Sequence, residues 1–379
     1  MRIPVGILLC ICLMCGVGQS FSAPSTRPVT GCNIAGAEHG IVYEKEGVYA
    51  CFPTLTKLAD GRLVTTFATR THASHVDDAG GKQTMISADG RSTWQPFDEP
   101  VIKPHWTCAD GRLVNVDADG WIRVPESARA RLTAEKRTIA NVRPGTIAYL
   151  GGAHYRVSTD GAKTWQTHAI DVPHDIAGLM CHLDDASFVK TTGGVRLKII
   201  YGTLKGKSGH RVFTVRSEDD GKSWVLRAML ADPPPDGLQG FNETAVIELS
   251  DRSLLAMMRS QPEGFLYRSM SSDQGRSWTP AQKTEIWGFP ADLLLLPDHR
   301  VLCVYGYRRE PMGVRASISA DNGKTWNLSQ EMILRADHRG KGMDLGYPLV
   351  EPLPDGRLLA LYYIDTDGSR TRVHIAWTR

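Results

Sequence analysis

One eight-residue phrase recurs five times along this chain and constrains its fold more than any other feature. It reads Ser-Ala-Asp-Gly-Arg-Ser-Thr-Trp at 87–94 and returns at 158–165, 217–224, 271–278 and 319–326. The last three copies fit Ser-x-Asp-x-Gly-x-Ser/Thr-Trp. In the first two the glycine falls one place early, at Gly90 and Gly161, which predicts distorted turns there. Asp bonds downstream backbone, Gly supplies the positive φ of a tight turn, and the Ser or Thr hydroxyl adds a local bond. The Trp then buries a large apolar surface against neighbouring strands. The phrase is therefore a rigid hairpin turn. Five of them, with tryptophans spaced 71, 59, 54 and 48 residues apart, predict repeated β-hairpin units.

A second pattern precedes several of these turns: an apolar strand, a Leu-x-Asp turn and another apolar strand. It occurs at Leu58-Ala59-Asp60-Gly61, Leu249-Ser250-Asp251, Leu296-Pro297-Asp298 and Leu353-Pro354-Asp355-Gly356. Each unit then reads strand, turn, strand, excursion, strand, Asp turn, strand, which is a four-stranded propeller blade. The first blade runs from about Tyr49 to Val101. The second extends to about Val172 and holds an insertion around Trp121 to Arg143. The third contains Cys181 to Leu230, the fourth Phe241 to Ile286 and the fifth Gly288 to Leu334. The sixth starts at Gly346 and lacks the Asp-Gly-Trp phrase; a strand from Asn33 to Tyr43 would complete it and leave no free edge. The expected fold class is all-β, a six-bladed β-propeller of four-stranded antiparallel blades over residues 24–379.

With 379 residues, a net charge of +3 and 22% charged residues, the chain carries nothing that points to nucleic acid. Arg2 followed by the apolar run Ile7 to Met14 reads as a signal peptide over 1–23, too short to span a bilayer. The protein is expected to be secreted or periplasmic, with a lipid anchor at Cys15 as the lesser alternative and no transmembrane segment in the mature chain. Five cysteines remain, Cys32, Cys51, Cys108, Cys181 and Cys303, and they read as buried thiols rather than a disulfide framework. No Cys/His spacing marks a zinc site, and neither metal nor organic cofactor is implied.

Counting from the turn Asp locates a site. Eight residues before it come Phe52, Glu243, Pro290 and Tyr347; eight after come Ala68, Arg259, Gly306 and Tyr363; ten after come Arg70, Gln261, Arg308 and Asp365. In an antiparallel pair the start of one strand lies beside the end of the next, and residues two apart share a face. All these positions therefore gather at the end opposite the Leu-x-Asp turns. Glu243, Tyr347, Arg70, Arg259 and Arg308 meet there from four blades. Three arginines for one carboxylate leave positive charge for an anionic ligand. A bland alternative is an Arg-Glu network that plugs the channel.

On these repeats the chain resembles the sialidase (neuraminidase) superfamily of six-bladed Asp-box propellers, over nearly its whole mature length. The resemblance implies a glycan or glycoconjugate substrate and a retaining hydrolysis. Asn242-Glu243 followed sixteen residues later by Arg259 is similar to the family's base and one of its carboxylate-gripping arginines. Tyr347 takes the family's nucleophile position. Asp77 or Asp78, in the first blade before its Asp turn, takes the acid/base position. The family's first arginine corresponds to Cys51, and the Glu that holds that arginine corresponds to Tyr363. Both partners of one ion pair are replaced together, which marks a changed site. Arg70 is positioned to restore three arginines with Arg259 and Arg308, Arg315 and Arg309 being the fallbacks for the third place. The expected function is an exo-glycosidase acting on terminal acidic sugars. The alternatives are a non-catalytic glycan-binding propeller or another glycosidase or lyase on the same scaffold.

Overall fold

Each repeated turn sends one strand back along the one before it, so the chain builds antiparallel sheets from consecutive strands. The computed structural model describes residues 31–58, 60–71, 80–89, 93–97, 106–181, 185–232, 240–340, 342–368 and 372–378. The first sheet is Val48–Cys51, Leu63–Arg70, Gly80–Ser87 and Gln95–Pro96, with Thr56–Lys57 as a further short strand on Leu63–Arg70. The second is Trp106–Thr107, Leu113–Ala118, Ala153–Ser158 and Gln166–Ile170. The third comprises Ile176–Cys181, Arg196–Leu204, Arg211–Ser217 and Val225–Ala231, with Phe188–Lys190 as a second piece of its first strand. The fourth is Gly240–Glu248, Leu254–Gln261, Phe265–Ser271 and Gln282–Trp287; the fifth is Ala291–Leu295, Val301–Tyr307, Gly313–Ser319 and Met332–Arg335. The sixth is Gly346–Pro352, Leu358–Ile364, Arg372–Thr378 and, from the other end of the chain, His39–Tyr43.

The chain is thus all-β, apart from short helical pieces. Alternate strand residues face neighbouring sheets, and the apolar ones form the core. Trp106, Leu179, Phe213 and Trp224 fill the space between the second and third sheets. Phe241 and Met258 join the third and fourth, Met257 and Tyr305 the fourth and fifth, and Val304 and Tyr362 the fifth and sixth. Phe67 and Leu361 lie in one cluster between the sixth sheet and the first. Arg372–Thr378 bonds antiparallel to His39–Tyr43 and parallel to Val48–Cys51, which joins the first and sixth units into one nine-stranded hydrogen-bonded sheet. The insertion in the second unit is a separate three-stranded sheet, Trp121–Pro125, Thr146–Leu150 and Ile139–Arg143, with a helix at Arg129–Ala134 pinned by buried Leu132.

The turns behave more uniformly than their sequences. In the third copy Asp220 and Gly221 have φ of 60° and 78°, and Ser217 Oγ accepts from Gly221 N at 2.9 Å. In the second copy Gly161 and Ala162 occupy the same two places with φ of 74° and 71°, and Ser158 Oγ accepts from Ala162 N at 2.9 Å. The expected distortion is therefore absent from the second copy: the early glycine takes the first left-handed position and Ala162 tolerates the second. Gly90, in the first copy, lies outside the described residues. The Leu-x-Asp turn also extends further than its spelling. Cys108 N donates to Arg112 O at 2.8 Å just as Leu58 N donates to Arg62 O, and Thr191 N donates to Val195 O at 2.8 Å. Among the described residues all five cysteines are free thiols, with Cys51, Cys108 and Cys303 buried.

Candidate functional site

The site sits where the first strands of three sheets bend. Phe52, Glu243 and Tyr347 have φ of 55°, 23° and 47°, a left-handed backbone that non-glycine residues adopt at a cost of about 1–3 kcal/mol. The pairing register shifts between Asn242 and Thr244 and between Gly346 and Leu349. Such bulges turn a side chain out of the strand's alternation. They bring Glu243 and Tyr347 together from the fourth and sixth sheets. Gly306 permits the approach, because a Cβ there would stand 2.8 Å from Phe289 O and 3.3 Å from Gly346 Cα.

Tyr347 Oη donates to Glu243 Oε1 at 2.5 Å, and the other oxygen of Glu243 takes the Arg259 guanidinium. The Arg259 and Glu243 side chains are 13% and 11% exposed. Burial pushes the Tyr347 phenol well above its usual range, and Glu243 pushes it further, against the pull of Arg259 and Arg308. The phenol is therefore neutral at ordinary pH and its proton points at a carboxylate. Burial works against the charge on Arg259, but Glu243 and Tyr347 more than offset it and hold the guanidinium firmly protonated. Behind Glu243 lie Tyr201, its phenol raised by burial and then by Glu243, and His210, lowered by burial and raised by Glu243.

Arg308 is buried and donates to Leu345 O at 2.9 Å. Its guanidinium carbon lies 4.8 Å from the Phe289 ring centre and that of Arg259 4.3 Å, so one aromatic ring backs both cations. Arg70 lies 5.4 Å over Phe52. Arg70 Nη1, Arg259 Nε and Arg308 Nε are buried with no hydrogen-bond partner among the described residues. Unmade donors on buried guanidinium groups are costly unless an anion takes them. Arg315 is engaged elsewhere: it donates to Glu331 at 2.6 Å, and Tyr305 Oη donates to the same carboxylate at 2.5 Å. Arg309 lies 3.9 Å over Trp287 and is exposed. Asp77 and Asp78 lie outside the described residues.

Beside Tyr347 stands a carboxylate, Asp344, that counting along the repeats did not find. Tyr363 Oη donates to Asp344 Oδ1 at 2.5 Å and Tyr49 Oη to Asp344 Oδ2. Tyr363 stacks on Tyr347 with ring centres 5.7 Å apart, and Phe52 meets both rings edge-on at 4.8 and 5.5 Å. Cys51 is fully buried here; burial pushes its thiol up to about 12, while Arg70 pulls it down and Asp344 pushes it up. Asp344 was missed because it belongs to the connection between two sheets, where no repeat carries a signal.

Repeated four-stranded sheets joined by Asp-box turns, with a Tyr-Glu-Arg cluster at one end, define the propeller class to which sialidases belong. The chain belongs to the BNR repeat-like domain family, whose model matches residues 137–360. A protein of unknown function from Dyadobacter fermentans is similar over 91% of this chain and 99% of its own, at 26% identity and a TM-score of 0.72. The NanB sialidase of Streptococcus pneumoniae superposes with a TM-score of 0.57 at 12% identity, over 89% of this chain and 70% of that one. The intramolecular trans-sialidase of Ruminococcus gnavus gives 0.54 at 14% identity, over 92% and 97%. An α-L-arabinanase from Penicillium chrysogenum gives 0.53 at 11% identity, over 88% and 97%. At these identities the enzyme structures show a shared fold. No curated protein matches the chain in sequence.

Proposed function

We propose that this protein is an exported, retaining exo-glycosidase of the sialidase type that removes terminal acidic sugars from glycans or glycoconjugates. The observation that carries this reading is the 2.5 Å hydrogen bond from Tyr347 to Glu243 in a cluster shared with Arg259 and Arg308. Tyr347 Oη attacks the anomeric carbon as its proton passes to Glu243. The bond to the leaving oxygen breaks, and Asp78 or Asp77 protonates that oxygen. A water deprotonated by the same Asp then displaces the tyrosine, which recovers its proton from Glu243. A neutral phenol avoids bringing a second negative charge against an acidic sugar, and tyrosine nucleophiles are a known departure among glycosidases. The guanidinium groups of Arg70, Arg259 and Arg308 hold the acid group. The six four-stranded units are read as six blades closed into a ring through the strand Arg372–Thr378. Export rests on the signal-like residues 1–23; no helix among the described residues is long and apolar enough to cross a membrane.

A second reading, a glycosidase or lyase for another sugar, is favoured by Cys51, Tyr363 and Asp344, which put a thiol, phenols and a carboxylate on one wall. The test is release of a fluorogenic aglycone from the α-ketoside of N-acetylneuraminic acid and from a panel of hexuronides, by wild type and Tyr347→Phe. Release that the variant loses at least 1000-fold supports a Tyr347 nucleophile. Release that Tyr347→Phe retains removes it. No release from any of these, with free sugars still binding, leaves a glycan-binding propeller.

A further inference from the structure

Four of the repeated tryptophans fill equivalent places in the fold. Trp94 packs into the cluster between the sixth sheet and the first, Trp224 between the second and third, Trp278 between the third and fourth, and Trp326 between the fourth and fifth. In each pair the tryptophan comes from the Asp turn of the later sheet and fills the seam against the sheet before it. Trp278 Nε1 also donates across its seam to Thr214 Oγ1 at 3.2 Å. The sixth sheet has no Asp turn of this kind. The cluster between the fifth and sixth sheets holds no tryptophan among the described residues. That seam contains a cavity of about 370 Å³ instead.

The cavity lies where the missing indole would sit. Trp94 and Trp224 come directly before the strands Gln95–Pro96 and Val225–Ala231, the fourth strands of their sheets. The strand in that place in the sixth sheet is His39–Tyr43, and the residues just before it, 34–37, form one wall of the cavity. Ala316 of the fifth sheet and Val350 and Ala360 of the sixth form other walls. The 34–37 segment is tied at both ends. Asn33 N donates to Ile333 O at 3.2 Å and Asn33 Oδ1 accepts from Ile333 N at 2.7 Å, while Glu38 accepts from Arg357 at 2.8 Å. Arg357 touches the cavity, but Asp355 and Glu38 together occupy its guanidinium. Leu296 and Gly356, both in the lining, belong to Leu-x-Asp turns, so the cavity lies toward the end of the sheets opposite Tyr347.

We propose that this seam is a second ligand site, which takes a free, neutral, flat aromatic molecule of about the size of indole. The inference is independent of the reading of Tyr347. The walls are almost wholly apolar, so a polar or charged ligand would give up its water there with nothing in return. An apolar cavity of about 150 Å³ already stays dry and binds benzene; this one has room for a fused pair of rings. Ala316 and Ala360 are 3% and 4% exposed and keep the walls on either side low. The same fold closes four equivalent seams with an indole, which is why a flat ring rather than a flexible chain fits the space left in the fifth-to-sixth one.

The experiment is calorimetry of the mature protein with indole, beside Ala360→Leu, which fills the cavity, and Ile34→Asp, which puts a charge on its half-buried outer wall. Wild type is expected to bind one indole with a Kd of about 1 mM or tighter and to gain Tm on binding. Each variant is expected to weaken binding by about tenfold or more. Crystals soaked in 5-bromoindole should show the bromine between Ala316 and Ala360. An absence of binding to wild type overturns the proposal. So does undiminished binding by either folded variant, or a bromine found only elsewhere, such as beside Trp287. The bromine position decides even if Ala360→Leu does not fold.

Discussion

Replacing Glu243 by Gln tests the central cluster on stability and chemistry together. The variant keeps the side chain's shape and one carbonyl acceptor, but it leaves Arg259 charged beside a neutral amide. Removing one partner of a buried ion pair costs about 3–5 kcal/mol. Because the pair here retains 13% and 11% exposure and Gln keeps one bond, the lower end applies, about 3 kcal/mol. The unfolding entropy of a chain this long is roughly 0.7 kcal/mol/K, so the loss corresponds to a fall in Tm of about 4 °C by scanning calorimetry. The same change removes the acceptor of the Tyr347 proton, and kcat should fall by about 10²–10⁴. Added chloride or acetate should recover part of the variant's Tm, because an anion can meet the guanidinium that lost its carboxylate, and should do less for wild type. An unchanged Tm, together with kcat within threefold of wild type, would refute both halves of the reasoning.

Three further outcomes follow from the turns and the close approaches. In Asp273, burial works to raise the carboxyl, but bonds from the Ser277 hydroxyl and amide and the Ser271 hydroxyl outweigh it and bring it to about 2. The folded value lies below the unfolded value of about 3.9, so this stabilisation is complete above pH 4 and is lost as pH falls toward 2. Asp273→Asn should flatten the acid limb of the Tm-pH curve and lower Tm near neutrality. Gly306→Ala should cost about 1–3 kcal/mol by overpacking, and it should reduce kcat/KM more than tenfold, because Phe289 and Gly346, the neighbours it displaces, back Arg308 and precede Tyr347. Trp224→Ala should cost about 3–5 kcal/mol in denaturant unfolding, and half-buried Trp165→Ala less, since Trp224 is only 5% exposed and packs on Trp106 at 4.8 Å.

Much of the geometry was legible because it repeats. Counting eight residues on either side of a turn Asp put Glu243 beside Arg259 and Tyr347 beside Tyr363, and the register pairs Asn242 with Arg259 and Gly346 with Tyr363. The one-residue offset is the bulge, which no hydrophobic pattern announces, since it depends on left-handed φ at residues with side chains. The turn at Cys108 was hidden by a thiol in place of leucine, though Ala109-Asp110-Gly111 repeats Ala59-Asp60-Gly61 letter for letter. The second Asp-box misled in the other direction, because Ala162 at φ 71° absorbs a strain that a glycine rule forbids. Asp344 had no repeat to betray it; only the two tyrosines that converge on it do so, and they lie 295 and 19 residues away in sequence.

The strand Arg372–Thr378 pairs along one edge with Leu358–Ile364 and along the other with both His39–Tyr43 and Val48–Cys51. Among the described strands, then, the last one synthesised is the hydrogen-bonded partner of the first two. During translation those early strands wait for more than 300 residues to follow, while the middle sheets can form from neighbours already made. Tyr49 waits with them, as its hydroxyl has no Asp344 to meet until the sixth unit arrives. The candidate pocket therefore matures last, and a chain released early would hold folded sheets around a half-built site. A circular permutant that begins at Gly240 and joins the old termini would make the strands of that junction neighbours in time as well as in space.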